Sequence, residues 1–472
     1  MNPEAKDFKK KSHEAIANPG LQKTLTKMTF NLGKMRRNAL SRYPEFAEVQ
    51  EQAIAHKEHV LANLDIYLEQ LEENVIAAGG KVHWCSEYDD AKEAIAQICK
   101  RRNAKVVVKG KSMISEEIGL NDHLEAEGIT VVETDVGEHI LQLANERPSH
   151  IVAPAWHKPI DEVSDLFHLK HRRYGHTERK EEVEDLVRQA CDVVREHYFE
   201  ADVGITGANI LIASTGTAVI VTNEGNGDLS QQVPPVHIVV TTLDRVVGTP
   251  EDAMATLRLL GRSASGQALT AYTTFATGAR QPGDLDGPEE FHLVLLDAGR
   301  SSLLGSSKQP LLRCIRCAAC INHCPIYAAV GGHSYGWVYP GPIGAALVPE
   351  LIGLENATDL PRATSICGRC DEVCPMQIPL TSLKRDLRND LFERGLIGRA
   401  ERMGLWAWSF AVRRPALYHL LTGLVAGVLG RLGRAKGSFS KLPFAGGWTS
   451  IRELPAPAKQ TFQQQWKERK KP

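Results

Sequence analysis

The feature that most constrains this chain is a run of four cysteines closed by a proline, CIRCAACINHCP at residues 314–325. Its spacing is C-x2-C-x2-C-x3-C-P. A second run, CGRCDEVCP at residues 367–375, repeats the last three cysteines and the proline. Seven of the ten cysteines lie in these two pieces, so the intervening chain must fold back to bring the two runs together.

This spacing is typical of 4Fe-4S cluster binding. Cysteines three residues apart wrap around one cubane, and in proteins with two clusters the fourth cysteine ligates the other cubane. The sequence therefore predicts two 4Fe-4S clusters with interleaved ligands. Cluster 1 takes Cys314, Cys317, Cys320 and Cys374. Cluster 2 takes Cys324, Cys367 and Cys370.

Two other uses of the cysteines are disfavoured. Structural zinc sites pair well-separated C-x2-C knuckles, and they do not need three cysteines at strict intervals of three closed by C-P. A disulfide framework belongs to an oxidising compartment. The first residues of the chain contain no apolar stretch of a signal peptide, so we expect a cytoplasmic protein with free thiols.

The second run departs from a complete motif at one position. Three residues before Cys367 the chain has Thr364 instead of a cysteine, so cluster 2 has three thiolates. Three outcomes stay open: an oxygen or solvent ligand on the fourth iron, a ligand from a partner chain, or a 3Fe-4S cluster.

Composition limits the classes of partner. The 472 residues are 43% hydrophobic and 24% charged, with a formal net charge of −1. Because no basic excess is available to neutralise phosphates, nucleic acid is disfavoured as a partner. Cys85, Cys99 and Cys191 are isolated, and we expect them to be small buried hydrophobic residues.

The pattern of helices and strands divides the chain into four parts. We predict an N-terminal helical arm (1–64), an α/β domain with an open sheet (65–300), a helical two-cluster ferredoxin-like domain (301–398) and a helical tail (399–472). In the arm, residues 45–72 have helical periodicity. The α/β prediction depends on strand candidates at 105–108, 129–132, 150–153, 236–240 and 291–296, which alternate with helical stretches such as 88–102 and 178–200.

A run of small polar residues lies inside the α/β domain at 204–226. It predicts a hairpin around residues 214–217 and a loop at 223–226. Ligands usually bind at such strand ends in open α/β sheets, although glycine and asparagine also serve simply as turn residues. The chain contains no G-x-G-x-x-G or Walker sequence.

The chain as a whole resembles a known family. The run at 204–226, ETDVGEHILQL at 133–143 and APAWHK at 153–158 resemble the LUD domain. Followed by the two cysteine runs and by a tail with Trp406, Trp408 and RPALY at 414–418, they resemble the lactate utilization protein B family over nearly the full length.

The resemblance implies several properties. The LUD domain would have a fold akin to ribose-5-phosphate isomerases and CoA transferases. The protein would act in the oxidation of L-lactate to pyruvate with two companions, a cysteine-rich subunit and a second LUD protein. The family also has three cysteines in its second run. Some CoA transferases use a glutamate in a strand-end loop as nucleophile, but for Glu224 a solvated or capping role is favoured, and we assign no catalytic residue.

Two further segments carry predictions. Residues 380–396 place Leu383, Leu387, Leu391 and Leu396 on one helix face, with Ser382 as its N-cap. In the tail, residues 416–430 form an apolar run of fifteen, shorter than the ~20 residues of a spanning helix. We therefore favour a surface for docking a partner over an interfacial helix in peripheral contact with a membrane.

Two functional hypotheses follow. The favoured one is an electron-transfer subunit of an L-lactate-oxidising system. The alternative is a self-sufficient small-acid oxidoreductase whose substrate binds in the LUD domain.

Overall fold

The computed structural model describes residues 3–442, 449 and 452–469. The chain divides after Leu391 into two compact units, and each is described by itself. The predicted boundaries near residues 64, 300 and 398 stay predictions. Within the predicted tail, residues 443–448, 450–451 and 470–472 lie outside the described part of the chain.

The first unit begins with helices. They are α1 (Phe8–Ile16), α2 (Pro19–Ser41), α3 (Phe46–Ala62) and α4 (Leu64–Ala77). The Asn18 side chain accepts a hydrogen bond from the amide of Leu21 and so caps α2. The single helical stretch predicted over 45–72 is two helices, because the backbone leaves the helical region at Asn63 (φ −132°, ψ 37°).

The predicted open α/β sheet is confirmed. Its six strands are β1 (Lys81–Cys85), β2 (Val106–Lys109), β3 (Thr130–Glu133), β4 (Val203–Thr206), β7 (Val236–Thr242) and β10 (Glu290–Leu296). They pair in parallel in the order β1-β10-β7-β4-β2-β3. Four of the five strand candidates fall in it, whereas β1 and β4 were not predicted.

Helices connect these strands. They are α5 (Tyr88–Arg101), α6 (Met113–Ile118), α7 (Leu120–Ala126), α8 (Val136–Ala144), α9 (Ile160–Lys170), α10 (Val183–Glu200), α11 (Asn226–Gln232) and α12 (Pro250–Ala264). Side chains alternate across the sheet: Val294 of β10 packs with the core under α5, and Leu293 packs with the core under α4. At Gly204 a Cβ atom would lie 1.6 Å from the Ser230 carbonyl oxygen, so only glycine lets α11 approach β4.

A second, four-stranded sheet lies in the same domain. It contains β5 (Ile210–Ile212), β6 (Thr217–Thr222), β8 (Val246–Val247) and β9 (Tyr272–Ala276). The antiparallel pairing of β5 with β6 confirms the predicted hairpin, with Gly216 left-handed at its turn (φ 66°). The predicted loop at 223–226 is confirmed for residues 223–225, whereas Asn226 is already the first residue of α11.

The strand predicted at 150–153 is wrong, because the chain bends at residues 150–152 and is irregular at 153. Nδ1 of His150 accepts hydrogen bonds from the amides of Val152 and Ala153. Its Nε2 bonds to the side-chain oxygen of Asn322. The chain therefore folds around a buried imidazole, which satisfies amides that a strand would have paired with a neighbour.

The cysteine runs lie in a module of short helices. These are α13 (Ala319–Asn322), α14 (Pro325–Val330), α15 (Gly341–Ile352), α16 (Arg369–Glu372) and α17 (Leu380–Glu393). The predicted apolar face of α17 is confirmed at Leu383, Leu387 and Leu391, which are buried. Ser382 lies inside the helix rather than at its N-cap, and Leu396 lies beyond its end.

The second unit contains α18 (Arg399–Val412), α19 (Pro415–Leu432), β11 (Ser438–Phe439), β12 (Leu454–Pro455) and α20 (Phe462–Arg469). Trp406 and Trp408 are exposed. By length and composition alone α19 is apolar enough to cross a membrane, with a mean hydropathy of 1.2, a test that helices of soluble proteins also pass. The docking interpretation of this tail stays a prediction.

Buried charges join the cysteine module to the sheet domain. Nη2 of Arg300 donates to both carboxylate oxygens of Glu117 at 2.8 Å, and the hydroxyl of Tyr339 donates to the same carboxylate. Nε of Arg300 lies 3.7 Å from Asp244, which pairs with Arg245 at 3.0 Å. All of these residues are buried, so each charge depends on its partners.

We expect Arg300→Leu to destabilise the chain by about 3–5 kcal/mol, because it leaves the Glu117 carboxylate buried without its cation. Denaturant unfolding followed by circular dichroism measures this change. Arg188→Leu is the control, since Arg188 forms an exposed pair with Asp185 and its removal should change stability by at most ~1 kcal/mol. Equal effects of the two substitutions would contradict the role given to the buried pair.

Candidate iron–sulfur centre

The loop that carries the first three cysteines has an unusual backbone. Arg316 and Ala318 are left-handed, with φ of 55° and 60°. This conformation costs a non-glycine residue roughly 1–2 kcal/mol and persists where the surroundings impose it. Here it coils the chain tightly around Cys314, Cys317 and Cys320.

The structure brings the thiol of Cys374 to these three cysteines, although it lies in the other run. Burial raises the pKa of Cys317, and repulsion from the thiolates of Cys374 and Cys314 raises it further. Burial also raises the pKa of Cys320, with repulsion from the same two thiolates and from Cys317. The pKa of Cys374 rises to about 11, again chiefly through burial. The four residues predicted for cluster 1 therefore lie close enough to influence one another, with Cys314 partly buried and the other three buried.

Cys324, Cys367 and Cys370 form a second group around Lys384. The pKa of Cys324 is raised by burial, with repulsion from the Cys367 thiolate as a smaller contribution. The pKa of Cys367, which is exposed, is lowered chiefly by the amide of Arg369. Burial raises the pKa of Cys370, and the Lys384 ammonium, 3.7 Å from its sulfur, opposes that rise.

Backbone amides point at the sulfur atoms of both groups. The amide of Arg316 lies 3.4 Å from Sγ of Cys314, that of Tyr327 lies 3.5 Å from Cys324, and that of Ile378 lies 3.5 Å from Cys374. Hydrogen bonds to sulfur are among the means by which proteins tune bound clusters. The donor set and its surroundings therefore fit an iron–sulfur cluster at each group.

The described residues contain neither a disulfide nor a close group of metal-ligating side chains. All ten cysteines lie in the described part of the chain and all are free thiols. Within residues 3–442, 449 and 452–469, no three His, Cys, Asp or Glu side chains lie close enough to surround one metal ion.

Three side chains distant in sequence hold the cysteine loops. Nη1 of Arg245 donates to the Cys314 carbonyl at 2.7 Å. Arg36 of α2 donates to the Val373 carbonyl at 3.0 Å, and Gln50 of α3 to the Pro375 carbonyl at 2.9 Å. Sequence reasoning missed all three, because no local pattern marks them. Lys384 was also missed, although a lysine on the apolar leucine face of α17 could have indicated a buried charge near the cysteines.

The isolated cysteines are not alike. Cys85 and Cys99 are buried, as expected, and burial raises their pKa values to about 11 and about 12. Cys191 is exposed on α10, so the expectation of a buried residue is wrong there. It falls on the polar side of an amphipathic helix whose apolar side packs on the domain.

A cavity of about 270 Å³ lies where the parallel strands end. Its wall includes Lys111, which follows β2, and Asn209, which follows β4 and belongs to the run of small polar residues at 204–226. The cavity is also lined by Ile315 and Arg316, which separate the first two cysteines. The cavity therefore extends from the sheet domain to the loop of the first cysteine group.

Glu224 also lines this cavity. Its carboxylate accepts a hydrogen bond from the amide of Val136 at 3.1 Å. Burial of the carboxylate and the nearby charge of Asp135 raise the pKa of Glu224 to about 7, although the residue as a whole is exposed. A capping role is visible in the hydrogen bond, and no catalytic role is assigned.

Comparisons with known proteins agree with this architecture. The family model of the LUD domain matches residues 68–296, that of the 4Fe-4S dicluster domain matches 310–378, and that of the lactate utilisation protein B C-terminal region matches 396–471. One solved structure, a DUF162 family protein from Deinococcus radiodurans, aligns at 15% identity over 49% of this chain and 98% of its own, with a TM-score of 0.27. That score is too low to support an inference.

Curated relatives cover nearly the whole chain. Lactate utilization protein B of Geobacillus kaustophilus is 44% identical over 92% of this chain and 90% of its own. The protein of the same name from Bacillus licheniformis is 41% identical over 98% of this chain and 97% of its own. The "uncharacterized electron transport protein YkgF" of Escherichia coli is 40% identical over 98% of this chain and 96% of its own.

Fold and site together define a LUD-domain protein with an iron–sulfur module. Within that class, the chain belongs to the lactate utilization protein B family.

The interleaved ligand sets can be tested one cluster at a time. We expect Cys374→Ser to damage cluster 1, because its thiol lies with Cys314, Cys317 and Cys320, and Cys324→Ser to damage cluster 2. Each variant should retain about four of about eight irons, with the electron paramagnetic resonance (EPR) spectrum of the surviving cluster after anaerobic reconstitution. Exposed Cys191→Ser is the control and should retain both clusters. The assignment would be contradicted if Cys374→Ser removed cluster 2 and Cys324→Ser removed cluster 1.

Proposed function

We propose that this chain is an iron–sulfur electron-transfer protein that carries two 4Fe-4S clusters and serves the oxidation of L-lactate to pyruvate. The name shared by its relatives and the match to a dicluster domain support this proposal. Its place is the cytoplasm, where reducing conditions keep cysteines free. Two companion subunits, one cysteine-rich and one a second LUD protein, complete the proposed system.

The observation that carries the proposal is the position of the two cysteine groups. Ile315 and Arg316 of the first group form part of the cavity wall at the sheet edge. In the second group, Cys367 and the preceding Ile366 are exposed to solvent. One group thus adjoins the cavity at the sheet edge and the other adjoins the outer surface, an arrangement that suits a protein placed between a reductant and an acceptor.

The chain's own residues would hold and orient the redox groups. Oxidation of lactate to pyruvate releases two electrons and two protons, and 4Fe-4S clusters, when bound, supply one-electron storage. Arg245, Arg36 and Gln50 fix the carbonyls of the cysteine loops.

The cavity also favours a second candidate function. Lys111 and Arg316 provide cationic groups, and Asn209 and Thr206 provide neutral polar groups, around a space large enough for a small acid. In this alternative the chain is a self-sufficient small-acid oxidoreductase with its substrate in the LUD domain.

An activity assay separates the two candidates. We expect the anaerobically reconstituted chain, with about eight irons, to show no turnover of L-lactate with an artificial acceptor until both companion subunits are added. Sustained turnover by the chain alone would instead establish the alternative. A preparation with about four irons and one EPR-active species on reduction would remove the second cluster from the proposal.

A further inference from the structure

The two cysteine loops repeat the same backbone conformation. In the first loop the residues on either side of Cys317, Arg316 and Ala318, are left-handed. In the second, the residues on either side of Cys367, Ile366 (φ 53°) and Gly368 (φ 78°), are left-handed too. Aligned on this repeat, Thr364 stands at the position of Cys314.

The side chain of Thr364 also takes the place of a ligand. In the first loop the amide of residue 316 donates to Sγ of Cys314 at 3.4 Å. In the second, the amide of Ile366 donates to Oγ1 of Thr364 at 3.0 Å. The same backbone group therefore points at a sulfur in one loop and at a hydroxyl oxygen in the other.

A buried lysine lies next to Thr364 in the second cysteine group. Lys384 is 1% exposed. Its ammonium lies 3.3 Å from Oγ1 of Thr364 and 3.7 Å from Sγ of Cys370. Lysine is almost never fully buried unless it is paired, and the negative charge of ligated thiolates is a suitable counter-charge. The ammonium thus joins the threonine oxygen to a cysteine of the cluster 2 set.

We propose that Oγ1 of Thr364 is the fourth protein ligand of cluster 2 and that Lys384 holds this oxygen in place. This inference depends on the proposal that cluster 2 is present. On ligation the hydroxyl proton leaves to solvent, as the thiol protons of the cysteines do, and a freed oxygen lone pair forms the bond to iron. The remaining lone pairs accept from the amide of Ile366 and from Lys384. No electron is transferred in this step.

The proposal makes the threonine oxygen, rather than solvent or a partner chain, the group that retains the fourth iron. Thr364→Val keeps the shape of the side chain and removes the oxygen, Thr364→Ser keeps the oxygen, and Thr364→Cys restores the complete cysteine motif. We expect the valine variant to convert cluster 2 to a 3Fe-4S form about 10-fold faster under mild oxidant. The serine variant should resemble the natural chain, and the cysteine variant should convert more slowly.

The measurement is the 3Fe-4S EPR signal together with iron content, on the full-length chain without companions. A conversion rate in the valine variant equal to that of the natural chain would overturn the proposal, because solvent would then hold the iron. A natural chain that retains the fourth iron only when companions are added would also overturn it. Absence of any second cluster in the natural chain, seen as about four irons, would instead refute the two-cluster proposal.

Lys384 is a positioning residue, and a separate readout tests it. Lys384→Met should shift the reduction potential of cluster 2 to a more negative value, because a nearby positive charge stabilises the reduced form. Arg385→Met is the control, since it removes one positive charge from an exposed position on the same helix. Equal shifts of the reduction potential in the two variants, or no shift in either, would show that Lys384 does not interact with cluster 2 beside Thr364.

Discussion

The rest of this structure depends on a set of buried charged side chains, one of which, Arg245, donates a hydrogen bond to the Cys314 carbonyl. Glu117 and Arg300 pair within the sheet domain, and Tyr339 of the cysteine module donates to the same carboxylate. Asp244 lies next to Arg300, and its partner Arg245 donates to the first cysteine loop. Lys57 of the N-terminal helices adds a hydrogen bond to the Val246 carbonyl at 2.9 Å. Three parts of the chain therefore meet at one set of charges.

We infer that these charges contribute more to the position of the cysteine loop than to overall stability. Desolvation offsets much of the attraction within a buried ion pair, yet removal of one partner is strongly destabilising. The cysteine loop therefore has one favourable position against the sheet domain, because any other position would leave a buried charge without its partner. In this position Arg316 lines the cavity at the strand ends. The same contacts therefore position the loop relative to the cavity and to the first cysteine group.

The sequence was sufficient for features that local patterns encode. The spacing of the cysteines predicted an iron–sulfur domain, which the dicluster family match supports, and apolar runs predicted most of the parallel sheet. It failed where a distant group decides the outcome, as at residues 150–153, where Asn322 and the imidazole of His150 replace strand pairing. Arg36, Gln50 and Arg245 act on cysteine loops through side chains that lie far away in sequence. Helix α15, buried between the two cysteine runs, was also missed.

The most direct test of the central claim, that two interleaved cysteine sets hold two clusters in one folded unit, is to locate the iron. Crystals of the anaerobically reconstituted chain, measured at the iron absorption edge, should show two separate anomalous peaks. One should lie among Cys314, Cys317, Cys320 and Cys374, and the other among Cys324, Cys367 and Cys370. A single peak, or a peak whose ligands all come from one cysteine run, would contradict the account.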